Sequence, residues 1–333
     1  MKRRNILQSV SLLAMSLVGT KALSAPTSKP LDSKLSPKSL TKSLIVAQSE
    51  QAISPEQVYP LGSSEPIQIR IGNGGAGQAG LIEFLAKDYV NFKGGGFTVA
   101  WYKSDTTVTL EYLKRRIVDI GLVYDAQLEL QAVREGYATA LSFIFKDHFW
   151  IVGPTNNNSA QLSESDTAQS AFLKIAQTGS PTGSPNDGSV FLSRNDLSAT
   201  NLKEQKIFQS ISLNPPFSGQ ESWYFKMTGD TFPAAAIKLA NDSGYYTLTD
   251  KGTWLANLKN TTNLTPYVQG SDRLDDILLN PCDALLANTP TGVSEQAMDF
   301  LRYLLSPRGQ ATIASFKQND QQLYTPVLLD SNS

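Results

Sequence analysis

Val190-Phe-Leu-Ser193-Arg194-Asn195-Asp196-Leu-Ser198-Ala199-Thr200-Asn201 is the stretch on which the reading of this chain turns. Val190 to Leu192 is an apolar strand that stops at a polar turn holding one arginine and three hydroxyl residues. A helix follows, with Asn201 as its expected cap and Glu204 at the spacing of a capping box. That order aims backbone N–H groups, hydroxyls and the positive end of a helix at one point, where an anion fits without a metal. Arg194 supplies a full charge and a planar fork of donors, with Ser193 and Thr200 as hydroxyl donors and Ser198 beside them. The same residues have a plainer reading. Ser, Thr, Asn and Asp before a helix are ordinary capping residues, and a single Arg is most often a surface side chain.

The order Ser-Arg-x-Asp-x-Ser-x-Thr, from Ser193 to Thr200, resembles the ligand motif of the tungstate-binding proteins of ABC uptake systems, and Lys203-Glu204 continues the likeness into the helix. The resemblance implies an α/β, periplasmic-binding-protein-like fold of two lobes. Each lobe would be a mainly parallel sheet flanked by helices, and a two-strand hinge would join them. It also implies a small oxyanion ligand and an ABC transporter permease as delivery partner.

The ends and the composition agree with export. Lys2, Arg3 and Arg4 precede a mostly apolar run from Ile6 to Val18, and Ala22-Leu-Ser24 offers small residues at cleavage spacing, so residues 1–25 read as a signal peptide. The apolar run is too short and interrupted to span a membrane, and no Cys stands at the cleavage point to carry a lipid. Losing Lys2, Arg3, Arg4 and Lys21 takes the formal net charge from −1 to −5, which argues against nucleic acid as a partner. Cys282 is the only cysteine, so no internal disulfide forms and the chain must hold itself by core burial. His148 is the only histidine and stands far from Cys282, which argues against a protein-ligated zinc site. No cofactor is expected. Residues 26–64, rich in Ser, Pro, Lys and Leu and without a sustained period, read as a flexible leader.

From residue 65 strands and helices alternate, the pattern of a parallel sheet whose exit loops bind. Ile67-x-Ile69-x-Ile71 is a strand; Leu81, Ile82, Leu85 and Tyr89 recur at helical spacing; Phe97–Trp101 and Ile120–Tyr124 are further strands. Gly72-x-Gly74-x-x-Gly77 between strand and helix matches a dinucleotide fingerprint. Against it stand the exported chain and the lack of an acidic residue at the end of the next strand; a tight turn is the plainer alternative. In the family that Ser193–Thr200 resembles, this loop carries a run of hydroxyls. Here only Ala79-Gly80-Leu81-Ile82 matches, so Asn73 and the backbone at Gly74 and Gly75 would have to bind instead.

Val118-Asp119-Ile-Gly-Leu-Val-Tyr124 resembles a family strand whose exit loop, here Tyr124, faces the cleft, and Asp147–Pro154 resembles the strand crossing to the second lobe, with Val152-Gly-Pro154 as hinge exit. Beyond it, Thr228 and Gly229 fit a second loop facing the cleft, and Asp230 would face solvent at a helix start. A carboxylate beside a fully ionised oxyanion weakens binding unless the anion has a proton to donate. Leu264–Val268 would return to the first lobe, followed by a strand at Asn280–Asn288 and closing helices at Ala297–Leu305 and Gly309–Phe316. The expected organisation is lobe one at 65–152 plus 266–326, lobe two at 153–265, and a tail at 327–333. The expected function is capture of a tungstate- or molybdate-like oxyanion for uptake, in a periplasmic or secreted protein without stable membrane insertion. The alternative is a secreted binding or interaction protein taking phosphate or an organic anion, with no transport role; an Arg194 pointing to solvent would favour it. An enzyme is the weaker reading, because no Gly-x-Ser-x-Gly elbow is present and a Ser-His-Asp set would have to use His148.

Overall fold

The structure, a computed structural model, describes residues 53–327 apart from Leu197, residues 215–220 and Asp230. The expected signal peptide, most of the expected leader and tail, and the placement of Asp230 therefore lie outside the described residues. The packed chain begins before residue 65. Gln57–Tyr59 forms β1, an edge strand antiparallel to residues 99–101, and Tyr59 is buried. So short a strand has no period to detect, which is why composition alone drew the leader too long.

The first lobe follows in β/α order: β2 (Ile67–Asn73), α1 (Gly75–Gln78), α2 (Leu81–Phe92), β3 (Thr98–Lys103), α3 (Thr106–Lys114), β4 (Ile120–Val123) and α4 (Ala126–Arg134). β2 lies between β3 and β4 and runs parallel to both. The helical stripe Leu81, Ile82, Leu85 and Tyr89 joins Ile69, Ile71 and Val99 in one buried cluster, as the spacing predicts.

β5 (Ala138–Pro154) is one strand of 17 residues and begins well before the expected crossing strand at Asp147. It crosses between the lobes. The second lobe comprises α5 (Ala168–Gln177), β6 (Phe191–Ser193), α6 (Ala199–Ser210), β7 (Tyr224–Lys226), α7 (Pro233–Ser243), β8 (Tyr246–Asp250), α8 (Lys251–Ala256) and β9 (Leu264–Gln269). β6 is parallel to β7 and β8, while β8 and β9 flank the end of β5 antiparallel. Phe172, Phe191, Phe208 and Tyr246 are fully buried, with the Phe172 and Phe208 rings 4.6 Å apart, and they supply the core of this lobe.

β10 (Leu279–Ala287) brings the chain back, antiparallel to both β4 and β5. α9 (Glu295–Leu305), α10 (Pro307–Ser315), the small hairpin β11 (Lys317–Gln318) and β12 (Gln321–Gln322), and β13 (Thr325–Pro326) against β5 complete the described chain. Each lobe is thus parallel at its centre and antiparallel where the crossing strands join. β5 leaves β10 at His148 and meets β8 at Phe149, so the crossing precedes the expected Val152–Pro154 exit. β9 pairs with residues 150–154 and belongs to the second sheet, so the return comes after residue 269 and not at 266. Gly153 serves packing: a Cβ there would lie 2.2 Å from the Tyr246 ring.

Candidate functional site

A cavity of about 460 Å³ opens where the parallel strands of both sheets end. Gly74 follows β2, Lys103 ends β3 with Ser104 to Thr106 beyond it, and Tyr124 follows β4; from the other side come Arg194 after β6, Thr231 after β7 and Asp250 at the end of β8. Ligands of α/β sheets bind at these carboxyl ends of strands. The first turns of α3 and α6 face the cavity from opposite lobes, through Thr106 and through Ser198, Ala199 and Thr200. Two helix N-termini so placed favour negative charge between them.

The motif turn is built to hold Arg194 inward. Asn195 adopts a left-handed φ of 51°, which asparagine tolerates, and turns the chain sharply between β6 and α6. Arg194 is only 8 % exposed. Its Nε donates to the Thr231 carbonyl at 2.7 Å, Nη1 to Thr200 Oγ1 at 3.2 Å, and Nη2 to Asp196 Oδ2 at 2.6 Å. Asp196 therefore aims the guanidinium and offsets part of its charge, a role the sequence reading did not assign. The cap of α6 is Ser198, not Asn201: Ser198 Oγ accepts from the Asn201 N–H at 3.4 Å.

Ser193 does not line the cavity. Its Oγ accepts from the Asn195 N–H and from Asn201 Nδ2, each at 3.2 Å, in a buried group that includes Glu204. Glu204 is no capping-box partner. It accepts from the Tyr224 hydroxyl, and burial pushes its carboxyl up to about 7. Lys203 donates to the carbonyls of Ile277 and Leu279, both at 2.8 Å, and burial lowers its ammonium to about 8. These contacts fix α6, and with it Arg194, to the strand behind it and to the returning chain.

On the first lobe, Gly74 and Gly75 line the cavity but Asn73 does not. Asn73 is buried: its Nδ2 donates to the Leu122 carbonyl at 2.9 Å and its Oδ1 accepts from the Gly77 N–H at 2.8 Å, so its amide braces the loop. The fingerprint glycine Gly77 also has a packing reason, since a Cβ would lie 2.2 Å from the Trp101 indole. Tyr124 lines the cavity near Asn73, and burial raises its phenol well above the usual range. Thr228 and Gly229 are exposed and outside the cavity lining; the second-lobe loop reaches it instead through Thr231 and Phe232.

Sequence reading missed Lys103-Ser104-Asp105-Thr106, although the signal was the one used at Ser193–Thr200: a strand, a polar turn and a helix capped by Asp105. Lys103 Nζ lies 4.3 Å from the centre of the Phe232 ring, a cation–π contact between the lobes. A second bridge joins Lys206 on α6 to Asp125, the cap of α4, at 2.6 Å. The crossing strands add Asp147 and Asn280 to the cavity, with Asp250 nearby. Asp147 Oδ1 accepts from the His148 N–H at 2.8 Å and Oδ2 from Asn280 Nδ2 at 3.3 Å; burial, reinforced by the Asp250 charge, pushes the Asp147 carboxyl up to about 8. His148 itself points to Asp272, with Nε2 to Oδ1 at 3.0 Å. Cys282 is buried and free. Among the described residues no group of three or more His, Cys, Asp or Glu could hold a metal ion, and no helix is long and apolar enough to cross a membrane.

Two lobes joined by crossing strands, with a polar cavity at facing strand ends, define the class of hinged ligand-binding proteins. The chain belongs to the PBP superfamily, whose domain model matches residues 59–308. A protein of Haloferax volcanii, named as an ABC transporter anion-binding protein, is 31 % identical over 234 residues, or 68 % of this chain. The match spans 63 % of that relative's own length, somewhat under two thirds. Among solved structures, a periplasmic protein described as metal-binding is 38 % identical with a TM-score of 0.74, covering 82 % of this chain and 99 % of its own. The tungstate-binding protein TupA of Desulfovibrio alaskensis G20 is 28 % identical with a TM-score of 0.63, covering 79 % of this chain and 99 % of its own.

Proposed function

We propose that this chain is an exported solute receptor that closes its two lobes on a small oxyanion and presents it to an ABC transporter. The observation that carries this reading is Arg194, nearly buried and held at the first turn of α6 facing the cavity. An Arg194 turned to solvent would have favoured a surface-interaction role. The arginine, Ser198 and Thr200 would meet the ligand from the second lobe; Gly74, Gly75 and Tyr124 would meet it from the first. Contacts from both lobes are what allow a ligand to favour a closed state, because only differential contacts shift such a balance. The names of the Haloferax volcanii and Desulfovibrio alaskensis relatives support transport over catalysis and an anion as the solute, with tungstate and molybdate the ligands to try first.

The test is thermal unfolding against tungstate, molybdate, sulfate, phosphate and small carboxylates, with Arg194→Ala as control. A ligand that binds only folded protein raises the midpoint as its concentration rises, by about 2.7 kcal/mol of stabilisation at a hundred times Kd. We expect such a rise with an oxyanion and its loss in folded Arg194→Ala. A flat midpoint across the whole panel would contradict the reading.

A further inference from the structure

Lys203 carries a charge that the cavity does not use. It stands one turn past Thr200 on α6, outside the cavity lining. Burying an ammonium costs free energy unless its donors are met. Here the carbonyls of Ile277 and Leu279 meet them, with the Phe149 ring 5.7 Å from Nζ. Those partners stand at the pivot between the lobes. β5 changes sheets between His148, paired with Leu279 of β10, and Phe149, paired with Asp250 of β8. The returning chain closes on the same point. The Phe149 N–H donates to the Leu278 carbonyl at 2.8 Å, and the Phe149 carbonyl accepts from the Gly270 N–H at 2.9 Å. A Cβ on Gly270 would lie 2.8 Å from the Leu278 carbonyl oxygen, so glycine is what permits this approach. Asp276 braces the loop, accepting from the Ser271 and Leu278 N–H groups, each at 2.8 Å. Ile277 and Leu278 pack with the second-lobe cluster of Phe149, Phe191 and Tyr246, whereas Leu279 opens β10 in the first-lobe sheet. Lys203 therefore grips one carbonyl on each side of the pivot.

We propose that Lys203 is the positioning residue of the hinge: by holding the Ile277 and Leu279 carbonyls together, it sets the angle between the lobes. Rotation about the pivot changes the separation of those carbonyls, and one ammonium holds both at 2.8 Å over only a narrow range of angles. The same helix presents Thr200 to the cavity, hydrogen-bonded to Arg194 at 3.2 Å. Coupling between two places needs an element whose arrangement both of them bias. α6 is that element, with the cavity contact at its first turn and the hinge contact one turn further on. The inference goes beyond the solute-receptor reading, because it concerns the free protein and needs no ligand.

The experiment measures the distance between spin labels at Glu111→Cys in α3 and Lys238→Cys in α7, both exposed positions, with no anion added. The buried Cys282 is left in place. A hinge rotation of about 15° moves a label about 20 Å from the pivot by about 5 Å. The expected result is a narrow distribution in the parent and one shifted or broadened by about that amount in Lys203→Met. Tyr224→Phe is the control. It removes the donor to Glu204, an anchor of α6 that lies wholly within the second lobe, so it should lower stability and leave the distance unchanged. If Lys203→Met does not fold, Lys203→Gln, which keeps an N–H donor on a shorter stem, is read in its place and should shift in the same sense. The parental distribution in a folded Lys203 variant, or an equal shift in Tyr224→Phe, would overturn the inference and leave the oxyanion reading standing.

Discussion

Asp147 keeps a carboxyl where burial and the neighbouring Asp250 disfavour its charge, so its proton is held up to about pH 8. Below about pH 4 the folded and unfolded chains both carry this proton. Between there and about pH 8 only the folded chain keeps it, so the contribution of Asp147 to stability falls as pH rises through that window. Asp147→Asn has no proton to lose. Its stability relative to the parent should climb from pH 4.5 to 8 by on the order of 2 kcal/mol, read from urea unfolding at several pH values. Parallel curves would show that Asp147 is ionised in the folded protein. A second single-residue expectation concerns Gly77: Gly77→Ala places a methyl against the Trp101 indole and should cost about 1–3 kcal/mol of stability, while a glycine needed only for a turn would tolerate it. Arg194 was legible from its position after an apolar strand. Asp147 and Asn280 were not, because a carboxyl within a β-strand becomes a cavity floor only through pairing with a strand more than a hundred residues away.

α6 is the element that presents the candidate site, and it is anchored at three levels. Ser198 caps it, Lys203 ties it to carbonyls of the returning chain, and Glu204 ties it to Tyr224. Lys203→Met keeps the apolar stem and removes two hydrogen bonds from a charged donor, so we expect a loss of about 1–3 kcal/mol in chemical denaturation. An unchanged midpoint would show that the two carbonyls do not depend on Lys203. The helix itself was plain from sequence, yet its start was misplaced by three residues, since Ser198 and Asn201 are both good caps and only the backbone path decides between them. The same ambiguity hid the true use of Glu204, whose spacing from Asn201 imitates a capping box while its side chain turns into the core.

The whole molecule is organised by two crossings of the chain, one within β5 and one between β9 and β10. The alternation of strands and helices announced the two sheets, but not that β5 serves both, because its middle carries no break in pattern that marks a change of partner. Across the cavity the lobes meet through Lys206–Asp125 and Lys103 on Phe232. Lys206 is 42 % exposed, so its pair is partly screened. Lys206→Met should weaken ligand affinity by about fivefold or less, with the difference shrinking at high salt. No difference at either ionic strength would mean that the bridge is absent from the ligand-bound state. The most direct test of oxyanion capture is a crystal structure grown with arsenate and, separately, with tungstate, both located by anomalous scattering. The expected result is a peak in the cavity with the anion's oxygens within about 3 Å of the Arg194 guanidinium and Thr200 hydroxyl. A peak elsewhere on the surface, or an empty cavity at saturating anion, would contradict it.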